Sequence, residues 1–272
     1  MPSAAAVIHT HLGCKPHRPN LHDRKFIVFR SPLKDMAVAN ENEDYEIDDS
    51  KIDINDQLQE ESCVANAWEA KLRILLYFEL SKVEPALARQ FLYWTARCLT
   101  GDQLFDAGCY TRSGAVALSS TGICPESYWP YDPSKVLTSP PEEAFFNASN
   151  NLLQAYYNID STGTQRGDDI ETALKANRAV VFGTEVGQDL QSYWAQNADP
   201  NFVFNPPATS VGGHALVITG VRRLNGVRQF KVRNSWSKGW GLLGYFWASE
   251  TYIVWDQSTG FYVGTLMKDL VL

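Results

Sequence analysis

Cys63 and His214 are the two residues whose types could do covalent chemistry together. A thiol becomes a nucleophile only on ionising, and the unpaired N–H groups and macrodipole at a helix N-terminus favour that anion. From Ser62 onward Val64, Ala65, Trp68, Leu72, Leu75, Leu76 and Phe78 recur mostly three and four residues apart. This spacing predicts an amphipathic helix to about Lys82 with Cys63 in its first turn. A cysteine is ordinarily a small buried hydrophobe, so the position becomes informative only with a base to match it. His214 is the sole histidine beyond the first 22 residues, and Gly212 and Gly213 precede it at the start of the apolar run Ala215–Ile218. An imidazole placed there can exchange a proton with a thiol brought from another part of the chain, as acyl transfer requires.

The other histidines, His9, His11, His17 and His22, crowd around Cys14 near the N-terminus. Their atoms suit zinc or copper, but the spacing fits no structural zinc pattern, so no metal is expected and no organic cofactor is needed.

The elements that must position Cys63 and His214 divide the chain by character. Residues 1–45 carry Pro2, Pro16, Pro19 and Pro32 without sustained periodicity and read as an extension, a strap or short lid with one strand at Lys25–Phe29. Residues 46–138 read as helical: after the Cys63 helix come a second at about Glu84–Cys98 and a short one around Ser113–Ser119. Residues 139–272 open with a helix at Pro140-Pro141-Glu142-Glu143. They then turn to strands at Leu153–Ile159, Ala179–Gly183, Ala215–Val221, Gln229–Asn234, Gly244–Ala248 and Phe261–Leu266, interrupted by a helix at about Asp168–Ala176. Helices first and a mostly antiparallel sheet second is an α+β order, which predicts a helical lobe, a β-rich sheet or barrel lobe, and a site in the cleft between them.

Longer segments around both residues resemble the papain-like cysteine peptidases. Asp56-Gln57-Leu58-Gln59-Glu60-Glu61-Ser62-Cys63-Val64-Ala65-Asn66-Ala67-Trp68 is similar to the nucleophile segment of bacterial members, Gly212-Gly213-His214-Ala215 to the histidine motif, and Val232–Tyr245 to the asparagine motif. Cys63 and His214 are 151 residues apart, and Asn234 follows 20 residues later, near the family's roughly 130–150-residue gap from Cys to His and Asn. The resemblance implies a Cys63 nucleophile, a His214 base, and Asn234 orienting its far nitrogen beneath a Trp236 shield. Gln57 would be an oxyanion donor, with Gln59 as competitor. It also implies that Gly108 and Cys109 pair with substrate backbone. Gly213 and Ala215 would then line a roomy pocket, without a fixed charge, for an apolar side chain two residues before the cut. The implied activity is peptide hydrolysis through a thioester. Transpeptidation through the same intermediate, or a catalytically silent peptide- or protein-binding protein on this scaffold, are the alternatives.

Departures from the pattern matter too. Glu60 stands where many secreted members carry a cysteine, so the usual disulfide cannot form there. Glu60 and Glu61 would raise the Cys63 pKa unless they point away. Residues 12–29 resemble a Pro- and Asp-rich run preceding the catalytic domain of bacterial relatives, and no long propeptide is recognised.

Five cysteines in 272 residues are too few for a disulfide scaffold, though a pair among Cys98, Cys109 and Cys124 could meet. A formal charge of −7 argues against a nucleic-acid partner. No apolar run reaches the roughly 20 residues that span a bilayer, and no secretory leader is recognised. The expectation is a peptide or protein substrate, no membrane, and a cytosolic location or export without a cleaved signal, as an effector would need.

Overall fold

A computed structural model describes residues 11–37, 40, 43–83 and 85–266. Its helices are α1 (Phe26–Asp35), α2 (Cys63–Leu80), α3 (Arg89–Cys98), α4 (Thr111–Ser120), α5 (Glu142–Ala148), α6 (Gly163–Lys175), α7 (Gln188–Gln191) and α8 (Glu250–Val254). Its strands are β1 (Tyr45–Glu46), β2 (Ala155–Asn158), β3 (Val180–Val186), β4 (Val203–Phe204), β5 (Gly212–Leu224), β6 (Val227–Arg233), β7 (Tyr245–Ser249) and β8 (Thr259–Thr265). The strands form one sheet in the order β2-β8-β3-β5-β6-β7-β4, with β1 added on β5. All pairings are antiparallel except β4 with β7. This is the α+β arrangement expected from the order of helical and strand-rich segments, and it agrees with the two-lobed fold that the resemblance implies.

The central helix α2 is apolar or buried on nearly every side, from Cys63 to Leu76, as a helix must be when it is enclosed by its neighbours. It packs on β5, α3, β3 and α4. Gly114 permits the α4 contact: a Cβ there would lie 2.3 Å from Trp68 Cδ1. The helix stops at Leu80 because Ser81 turns left-handed, its φ being +52°.

One feature of the extension differs from the sequence reading. Lys25–Phe29 is not a strand: Lys25 makes one bridge to Asn158, and the chain then winds into α1. Phe26, Phe29 and Leu33 of that helix are buried in the main core, and Phe29 stacks on Tyr157 at 4.2 Å between ring centroids. The extension is therefore built into the fold at α1. No disulfide forms: all five cysteines are free thiols. No described helix is long and apolar enough to cross a membrane.

Candidate active site

Cys63 occupies the first position of α2, and the far wall of the site comes from β5 and the loop after β6. The segment before α2 is stitched to that loop. Gln57 N–H donates to Ser235 O at 2.9 Å, and Asp56 bridges Trp236. Arg233 reinforces the junction through Asp49 Oδ2 at 2.7 Å and Ile52 O at 3.0 Å. Residues separated by about 180 positions thus meet, with Gln57 and Asn234 on neighbouring strands of backbone.

His214 is fully buried, and its Nε2 lies 2.7 Å from Asn234 Oδ1. The same oxygen accepts the Ser235 backbone N–H at 2.8 Å. An atom accepting that N–H is the amide oxygen, so Nε2 carries the imidazole proton and Nδ1 is the nitrogen available to a thiol. Trp236, also fully buried, stacks on the imidazole with ring centroids 4.6 Å apart and planes 22° from parallel. Water is thereby kept from the His214–Asn234 bond. His214 and Cys63 are joined across the cleft by the residue after the histidine, since the Ala215 N–H bonds to the Cys63 sulfur.

Gln57 is completely buried. Ser235 Oγ donates to its Oε1 at 2.7 Å, which leaves Nε2 as a fixed donor directed at His11 O and Glu60 O, both at 3.0 Å. Gln59 is exposed and takes no part. Glu60 is buried away from solvent, with Oε1 accepting Gln90 Nε2 at 3.3 Å. Burial raises its pKa, a hydrogen bond from Tyr131 opposing. Glu61 is the carboxylate that raises the Cys63 pKa.

The cleft between these walls is filled by the chain itself. Cys63 Sγ donates to Leu12 O at 3.6 Å. Cys109 N–H donates to Gly13 O at 2.9 Å, Lys15 N–H to Cys109 O at 3.0 Å, and Cys14 N–H to Gly213 O at 3.0 Å. Cys109, expected to hold substrate backbone, therefore bonds residues 13 and 15, Gly108 beside it packs against Gly13, and Gly213, expected to line a side-chain pocket, accepts from Cys14. Gly13 has φ +107°, and a Cβ there would lie 2.2 Å from Glu61 O, so only glycine passes at this point. Under this segment the Cys63 thiol is fully buried. Burial pushes its pKa up to about 12, against the lowering effect of the Ala215 and Val64 N–H groups.

The Cys14 side chain lies in a pocket bordered by Gly183, Glu185, Gly213, Gln257 and Thr259. Glu185 brings a carboxylate to the lining of this opening, which sequence reasoning missed, and Ala215 does not line it. Of the N-terminal histidine cluster, His9 lies outside the described residues. No group of three or more metal-ligating side chains is present among the described ones.

The match to the model of the papain family of cysteine proteases runs over residues 48–257. An uncharacterised peptidase C1-like protein of Acanthamoeba polyphaga mimivirus is 31% identical over 199 residues, which make up 71% of this chain and 62% of that protein. Among solved structures, xylellain, a cysteine protease from Xylella fastidiosa, superimposes with a TM-score of 0.79 at 24% identity, covering 98% of this chain and all of that one. Procathepsin B S9 from Trypanosoma congolense gives 0.68 at 16% identity over 94% and 86% of the respective chains. With a match over most of its length and a site whose Cys, His, Asn and Gln all converge, the chain belongs to the papain family of cysteine proteases.

Proposed function

We propose that this protein is a cysteine endopeptidase in which Cys63 attacks the peptide carbonyl and His214 protonates the leaving amine. Gln57 Nε2 and the Cys63 N–H receive the charge developing on the carbonyl oxygen. Water activated by His214 then releases the acyl group from the sulfur. The observation that carries this reading is the His214 Nε2–Asn234 Oδ1 contact of 2.7 Å. It commits Nδ1 to the thiol side, beside the Ala215 N–H that touches Cys63.

The described conformation is read as latent. Residues 11–15 take the backbone bonds that a substrate would use, and His11 O takes the Gln57 donor. The run has the wrong sense for cleavage. Cys14, which sits in the pocket assigned to the side chain two residues before the cut, lies C-terminal to Leu12, whose carbonyl faces the sulfur, whereas a substrate would place it N-terminal. The strap blocks access, and it also keeps the thiol neutral by burying it against a carbonyl oxygen.

Digestion of a peptide library by the full chain carrying Gly13→Val, which cannot keep the strap seated, tests the reading. Cleavage that disappears on adding Cys63→Ala supports it. Peptides retained but never cut would make the protein a silent binder instead, and acyl transfer to an added amine in preference to water would make it a transpeptidase.

A further inference from the structure

The pocket now holding the Cys14 side chain shows which substrates the cleft should favour, given the peptidase reading above. An opening of about 220 Å³ remains beside Cys14 even with the strap in place. One wall is bare backbone, for a Cβ at Gly183 would come within 2.6 Å of Cys14 Sγ. Glu185 stands on β3 directly opposite Gly213 on β5. A Cβ at Gly213 would lie 3.5 Å from Glu185 Oε1, so a longer residue at 213 would crowd this carboxylate, whereas glycine leaves it open to the cleft.

The carboxylate is half-buried and forms no ion pair among the described residues. Its only side-chain partner among the described residues is Ser210, whose hydroxyl donates to Oε2. No lysine, arginine or histidine lies within ion-pair distance of it among the described residues, and nearby Lys15 is committed to Asp102 at 2.5 Å. Gln257 and Thr259 add neutral polar side chains to the same pocket, and Lys15 and His17, which also line it, belong to the strap and would leave with it. A partly desolvated carboxylate without a counter-ion favours a cationic ligand and repels an anionic one.

We infer that Glu185 is a specificity-determining residue, selecting substrates with lysine or arginine at the position that pairs with Cys109, two residues before the cut. Cys14 is too short to reach across this pocket as such a side chain would. The strap thus covers the subsite without satisfying its charge, which suits a segment that must be displaced.

The test uses the full chain with Gly13→Val, alone for turnover and with Cys63→Ala for binding, and two peptides differing only in arginine or leucine at that position. The arginine peptide should exceed the leucine peptide at least about tenfold in kcat/KM and in affinity. Glu185→Gln should collapse the ratio, and Glu185→Lys should invert it in favour of a glutamate peptide, a gain that a misfolded variant could not show. Equal use of both peptides, a ratio indifferent to Glu185→Gln, or no peptide binding would each overturn the assignment. Arginine-selective binding that depends on Glu185 without any cleavage would instead sink the hydrolase reading and leave this subsite standing.

Discussion

Leu12 presents its carbonyl oxygen to Cys63 Sγ at 3.6 Å, so the thiol proposed as nucleophile is a hydrogen-bond donor to the chain's own N-terminal strap. Leu12 is itself buried, and its side chain fills the space that a Cβ at Gly212 would enter, 2.7 Å from Leu12 Cδ1. Lifting the strap would remove a bond acceptor and most of the burial at once, and both changes lower the thiol pKa. Gly13→Val should therefore raise the alkylation rate of Cys63 by iodoacetamide at neutral pH by about tenfold or more. Cys98, which is exposed, serves as the internal reference within the same molecule. A Cys63 rate that stays flat relative to Cys98 would mean that the strap does not control the sulfur.

In the proposed mechanism Asn234 acts through His214, without touching substrate. Asn234→Ala in the Gly13→Val chain should lower kcat by about 10²-fold or more, since an unheld imidazole samples the wrong tautomer and orientation. Asn234→Asp restores an acceptor for Nε2 and should recover part of the loss. Its negative charge would also hold the His214 proton more tightly, moving the pH–rate limb that reports the histidine to higher pH. A purely structural asparagine would give two variants with equal losses and unshifted profiles.

Much of this arrangement is legible in the sequence because its determinants are local. The Cys63 helix is written in the spacing of Trp68, Leu72, Leu75 and Leu76, and the strand carrying His214 in the β-branched run behind two glycines. The first helix was legible in principle: Phe26, Phe29 and Leu33 fall three and four residues apart and are all buried. Pro32 inside it and the surrounding basic residues point instead to an irregular extension, and burial against Tyr157 overrides that local signal. The strap left no periodic trace because its backbone bonds go to Cys109 and Gly213, far along the chain. Glu185 faces the cleft for lack of a side chain 28 residues later at Gly213, a relation that only the β3–β5 register creates.

Gln57 makes two opposed contributions, and its replacement should separate them. Nε2 holds His11 O in the latent conformation and would hold the oxyanion during turnover. Gln57→Ala in the otherwise native chain should loosen the strap and speed Cys63 alkylation. The same substitution in the Gly13→Val chain should cut kcat by about 10²- to 10³-fold, the usual effect of losing one oxyanion donor, with a smaller change in KM. Two effects of opposite sign from one residue cannot come from general destabilisation, and a thermal melt of each variant checks that both are folded.

Lys71 lies on the enclosed side of α2, fully buried, with Nζ donating to Ala179 O at 2.5 Å. Burial pulls its pKa down to about 7; Arg178 adds to this and Glu79 opposes it. In the unfolded chain a lysine titrates near pH 10.4, so between about pH 7 and pH 10 the unfolded state holds a proton that the folded state has released. Stability contributed by this residue must then rise with pH through that window, by up to about 1.4 kcal/mol per pH unit. Below pH 7 the folded protein bears the whole cost of an enclosed ammonium. Lys71→Met removes that titration and leaves Ala179 O without its donor, at about 1–3 kcal/mol. Its urea midpoint should exceed that of the native chain at pH 6, and the advantage should shrink as the pH approaches 10. Midpoints that run parallel for the two proteins across this range would mean that Lys71 keeps its proton in the folded state, and the pH dependence would have to come from elsewhere.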